Sequence, residues 1–100
     1  MLEKLNEKGV LKLIDAFLSL RTREECSSFL EDLCTIPEIK AMAQRLEVAG
    51  LLEERVVYSD IVHKTGASTA TISRVNRALN YGSDGYKLIL ERLEGEEKEK

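Results

Sequence analysis

Between residues 58 and 79 the chain reads YSDIVHKTGASTATISRVNRAL, and the side chains able to do chemistry collect here. Ser68, Thr69, Thr71 and Ser73 carry hydroxyls, Ala70 is small, and Lys64, Arg74 and Arg77 are cationic. Such a set does not break bonds; it suits recognition of a polyanion. Hydroxyls and arginines hydrogen-bond phosphates and base edges, and short side chains let a helix sink deep into a major groove. No catalytic set competes with this reading. His63, the lone histidine, is expected on an exposed helix, so no nucleophile has a base beside it. Asp15, Glu31 and Asp32 fall on polar helix faces, and no glycine-rich phosphate loop is present, so no enzyme is expected. Cys26 and Cys34 lie eight residues apart in one expected helix. That separates them by roughly 12 Å, too far for a disulfide. Two cysteines and one distant histidine make no zinc site, and no metal or cofactor is implied.

Positioning these groups requires two helices and a tight turn. Ile61, Val62, Ala67, Ile72, Val75 and Leu79 are spaced to pack one helix on the other. Gly66 stands where the chain must reverse, because a residue without Cβ adopts positive φ at little steric cost. This is a helix-turn-helix over residues 58–79, with Ser68, Thr69 and Ala70 at the groove-facing start of its second helix and Ser73 one turn later. Ser68 with Thr71 reads as a helix cap, compatible with contact to a phosphate through the free amides of a helix N-terminus. Thr71, about 100° around the axis from Ala70, is expected to face phosphate. Lys64, Arg74 and Arg77 are the phosphate candidates; the bland alternative is solvated charge, or an ion pair such as Arg74 with Glu47. His63 is expected to be exposed, with phosphate contact secondary.

The remaining chain also reads as helix, with no strand-like alternation long enough to compete. Val10, Leu13, Ile14, Phe17 and Leu20 define a first helix at roughly residues 3–20, and Leu11 and Leu18 add a second apolar stripe beside the first. That surplus suggests burial between subunits, or cover by a neighbouring helix of the same chain. Thr22 to Glu25 forms a capping box before a second helix, whose Cys26, Phe29, Leu30, Leu33 and Cys34 share a face. Thr35 to Glu38 forms another, with Pro37 in a first turn where no hydrogen bond is lost. A long third helix runs to about Glu54, apolar over more than half its circumference through Ile39, Met42, Ala43, Leu46, Val48, Ala49, Leu51 and Leu52. Tyr81 to Asp84 closes the helix-turn-helix and caps a last helix with Tyr86, Ile89, Leu90 and Leu93 as its buried stripe. The tail 94–100, EGEEKEK, is nearly all charge and is expected to be disordered, leaving one helical domain over 1–93.

One hundred residues bury a single modest core, and with aromatics at 5% and no tryptophan, aliphatic side chains must supply it. No apolar run reaches the ~18 residues of a membrane span, and the first residues lack a secretory pattern, so a cytoplasmic protein is expected. The net charge of −3 hides a division along the chain. Residues 1–54 and 81–100 are acidic on balance, whereas residues 55–80 hold Arg55, Lys64, Arg74 and Arg77 against Asp60 alone, a balance of +3. Non-specific affinity scales with phosphates neutralised, so a module this mildly basic calls for two copies.

The runs LEDLCTIPEIKAMAQRLEVAGLL and TGASTATISRVNRALNYGSDGY together resemble the Trp-repressor superfamily, and more closely its branch of small bacterial YerC/YecD-type Trp-repressor-like proteins. The match covers nearly the whole chain except the tail and is most specific over residues 65–86. The resemblance implies an all-α subunit of six helices, an intertwined homodimer through its amino-terminal helices, and a helix-turn-helix projecting toward double-stranded DNA. In Trp repressor the corepressor lies between two arginines, matched here by Arg45 and Arg74. Val75 replaces the pocket's glycine and Ala78 its serine, so a branched side chain fills the space and a hydrogen-bond partner is lost. Unpaired polar groups of a buried ligand cost about 1–3 kcal/mol each, so tryptophan binding is not expected. A different small-molecule effector between Arg45 and Arg74 stays open, as does a purely structural Arg45 paired to Glu38 or Glu47. Ser59 replaces an arginine near the start of the first reading helix, so the same operator is not expected. The function implied is a sequence-specific DNA-binding transcription regulator, a repressor by resemblance. The alternative is a helical protein-interaction module without DNA binding.

Overall fold

A computed structural model describes residues 7–99 and their side chains through Glu96. Six helices and no strand lie among the described residues: α1 (Lys8–Leu18), α2 (Arg23–Leu33), α3 (Ile36–Glu53), α4 (Tyr58–Thr65), α5 (Thr69–Tyr81) and α6 (Gly85–Glu99). By internal contacts the chain divides into two compact units, Met1–Ile39 and Lys40–Lys100.

In the first unit, local signals decide where helices begin. The Glu25 amide donates to Thr22 Oγ1 (3.0 Å), and the Glu25 carboxylate accepts the Arg21 N–H (2.9 Å), one residue before the amide a standard capping box would satisfy. Thr35 and Glu38 bond reciprocally at 2.8 and 3.3 Å. α1 ends at Leu18, two residues short of the expected boundary, where the Ser19 hydroxyl donates to the Ala16 carbonyl (2.7 Å); residues 3–6 of that expected helix lie outside the described residues. Phe17 and Phe29 meet edge to face, with centroids 5.2 Å apart. Yet neither α1 nor α2 contains a buried residue. Leu33, on the apolar face that α2 shares among Cys26, Phe29, Leu30 and Cys34, is 47% exposed.

The second unit holds the core. Val48 and Ala49 of α3, Ile61 of α4, Ala67 of the turn, and Ile72 and Val75 of α5 are buried together, with Val62, Tyr86 and Leu90 packed against them. α3 ends in a Schellman arrangement: the Val56 amide reaches the Leu51 carbonyl and the Arg55 amide the Leu52 carbonyl, both at 3.0 Å. Arg55 occupies the left-handed position, at φ 65°, where glycine is the usual choice. Only part of the expected stripes is covered. Met42, Ala43 and Leu46 on α3 are exposed, as are Ile89 and Leu93 on α6, because apolar spacing specifies a face without supplying what covers it. α6 continues as helix through Glu99, where composition alone predicts disorder; glutamate and lysine are strong helix formers, and a helix already started by a packed first turn escapes the nucleation cost.

Candidate nucleic-acid interface

The turn between α4 and α5 is fixed by one threonine and one glycine. Thr65 Oγ1 donates to the Ile61 carbonyl (2.7 Å) and accepts the Ala67 amide (3.0 Å), closing the end of α4. Gly66 follows in the left-handed region, φ 74°, with its amide on the Val62 carbonyl. Gln44 Nε2 of α3 donates to the Thr65 carbonyl (3.2 Å), tying the turn to the supporting helix. Sequence reading singled out Gly66 and missed Thr65 and Gln44. A threonine just before a helix-ending glycine is a usable signal; a contact from 21 residues away is not.

α5 begins as expected at Ser68, whose Oγ accepts the Thr71 amide (3.1 Å). The same hydroxyl donates to Thr71 Oγ1 (3.1 Å), so the half-buried Thr71 serves the cap and flanks the exposed face instead of lying on it. Around the axis, at about 100° per residue, Ile72, Val75 and Leu79 occupy one side and are buried. Thr69, Ala70, Ser73, Arg74 and Arg77 occupy the other and are exposed, with Ser68 at its head. His63 and Lys64 are exposed in the last turn of α4. Among the described residues Lys64, Arg74 and Arg77 make no ion pair, so their charge is available to a ligand. Asp60 is the sole carboxylate over 55–80.

The two arginines matched to the corepressor clamp differ in setting. Arg74 is exposed on α5, while Arg45 is half-buried on α3 and makes no ion pair among the described residues with Glu38 or Glu47. Glu38 is instead engaged by Thr35, whose backbone N–H and then side-chain hydroxyl hold its carboxyl below the usual range against a small opposing effect of burial. Val75 is 1% exposed and belongs to the core, so it opens no space beside Arg74. Ala78 instead borders an open apolar groove of about 450 Å³ with Leu46, Ser83, Gly85, Tyr86 and Ile89, which neither arginine lines. No cluster of His, Cys, Asp or Glu among the described residues could hold a metal, and no described helix is long and apolar enough to cross a membrane.

The profile of the Trp repressor protein family matches residues 8–94. The chain belongs to this family. Proteins of this family are in general DNA-binding regulators rather than enzymes. A relative named uncharacterized protein YerC, from Bacillus subtilis (strain 168), is 52% identical over 98 residues, covering 98% of this chain and 94% of the relative. Two crystal structures are similar throughout. A TrpR-like protein from Eubacterium eligens ATCC 27750 superposes with a TM-score of 0.88 at 56% identity, over 91% of this chain and 94% of its own. A candidate Trp repressor from Staphylococcus aureus superposes with a TM-score of 0.89 at 47% identity, over 94% of each chain. The family assignment embraces both compact units, because the matched residues run through the division at Ile39.

Proposed function

We propose that this family member is a cytoplasmic, homodimeric, sequence-specific DNA-binding transcription regulator, acting as a repressor without tryptophan. The observation that carries this reading is the exposed side of α5: hydroxyls and a small residue at its first turn, exposed arginines behind them, and the core on the opposite side. Ser68, Thr69, Ala70 and Ser73 read base edges directly or through water, while Lys64, Arg74 and Arg77 hold phosphates. Thr71 contributes by fixing the cap. Dimerisation is supported by the amino-terminal unit, where Leu11, Ile14 and Leu18 are 44%, 41% and 77% exposed on α1, a helix with no fully buried residue. Two recognition helices then enter successive major grooves, about 34 Å apart.

The test is selection of genomic fragments by the purified protein at low salt, followed by sequencing. A shared palindromic motif, lost on Arg74→Ala, is the expected result, and affinity falls steeply as salt rises. Recovery of random fragments only, or of none, sinks the reading. Thermal melting against amino acids and metabolites tests for an effector between Arg45 and Arg74. A ligand at 100 times its dissociation constant adds about 2.7 kcal/mol, and tryptophan is expected to add nothing.

A further inference from the structure

Tyr81 closes α5 and is 87% exposed, more than any other large apolar or aromatic side chain of the protein with a described exposure above a third. Nothing in the packing requires an aromatic ring there. Its position around the helix is specific: eleven residues after Ala70 and seven after Arg74, it falls within about 20° of both at 100° per residue. Tyr81 therefore continues the exposed side that carries Ala70, Arg74 and Arg77. The end of the helix is held firmly. The Gly82 amide donates to the Ala78 carbonyl (2.9 Å), and a Cβ at Gly82 would collide with that same carbonyl. Its neighbour Asn80 has its side-chain amide committed, Nδ2 donating to Asn76 O and Oδ1 at 2.9 and 3.0 Å. The Tyr81 phenol makes no hydrogen bond among the described residues.

Resting on the DNA-binding reading above, we infer that Tyr81 is a second anchor of the recognition helix, donating its phenolic O–H to a backbone phosphate at the edge of the groove that the first turn of α5 enters. The distances require an edge and not a base. Ala70 and Tyr81 are roughly 16 Å apart along the axis, and the major groove is about 12 Å wide. A straight helix seated by its first turn leaves a groove that curves away, and its far end meets the sugar–phosphate wall. There a phenol offers a neutral donor to the phosphate and an apolar ring to the deoxyribose. A neutral contact displaces no counterion, so it strengthens binding equally at every salt concentration, which separates it from the arginines.

The experiment measures affinity of the full-length protein, Tyr81→Phe, Tyr81→Ala and Arg77→Ala at several salt concentrations. The probes are the duplex recovered by genomic selection and a scrambled duplex of equal length and composition. Tyr81→Phe is expected to weaken both complexes by about fivefold, the effect of one hydrogen bond, and Tyr81→Ala by more, each with an unaltered salt slope. Arg77→Ala is expected to reduce the slope by about 1. Tyr81→Phe binding as tightly as the parent, while Arg77→Ala is impaired, overturns this inference alone. A loss confined to the selected duplex, or a changed slope for Tyr81→Phe, overturns it too, by making the contact a base or a charge. A parent protein that binds neither duplex fails at the earlier reading.

Discussion

Gly66, Arg55 and Ile72 of the carboxy-terminal unit respond differently to substitution, the first two through backbone geometry and the third through burial. Gly66 sits at φ 74° with open space around the position of an added Cβ. Gly66→Ala therefore suffers only the left-handed penalty, a loss of about 1–2 kcal/mol in denaturant unfolding. Arg55 takes a similar conformation, at φ 65°, with a side chain that opposes it. Arg55→Gly is expected to stabilise by about 1 kcal/mol in the same measurement, since glycine suits the Schellman position. Opposite signs at two similar φ values test the backbone account directly. Ile72, fully buried beneath the exposed side of α5, lies at the other extreme: Ile72→Ala loses about 2–5 kcal/mol and with it the positioning of Ser68 to Arg77.

Helix starts here depend on hydrogen bonds that pH can reach. Thr35 holds the Glu38 carboxyl below its ordinary range, so the carboxylate binds a proton less readily in the folded chain than in the unfolded one. A depressed folded value means this stabilisation is fully present above the ordinary glutamate range and is lost as pH falls through the folded value. Glu38→Gln keeps an acceptor but removes the titration. The melting-temperature gap between the parent and Glu38→Gln is expected to narrow on acidification, and a constant gap from neutral to acidic pH would refute the coupling. The start of α5 behaves differently, because Ser68 caps with a neutral hydroxyl whose contribution is independent of pH.

At the scale of the molecule, uncovered apolar surface is the informative quantity. Helical propensity alone gives short helices little stability, and the proposed dimer would supply a second surface for the exposed leucines of α1. A dimer that supplies it makes the melting temperature rise with protein concentration. Leu18→Glu, at a residue 77% exposed in the single chain, is expected to weaken association by roughly tenfold or more in sedimentation experiments while leaving the carboxy-terminal core intact. DNA affinity falls with it, because one mildly basic module neutralises few phosphates.

From the amino acids alone came the helical class, both threonine caps, the left-handed turn at Gly66 and the buried side of α5. Each depends on interactions between residues a few positions apart, or on a spacing that repeats every turn. Family membership was equally legible, through runs of letters that span the chain. Tertiary structure alone decided which half of α3 is covered, and that Leu33, Ile89 and Leu93 stay outside a single chain's core. It alone brought Gln44 to the Thr65 carbonyl and left Tyr81 exposed at the end of α5. The physical reason is range: periodicity marks an apolar or polar face, whereas burial and partnership depend on segments distant in sequence.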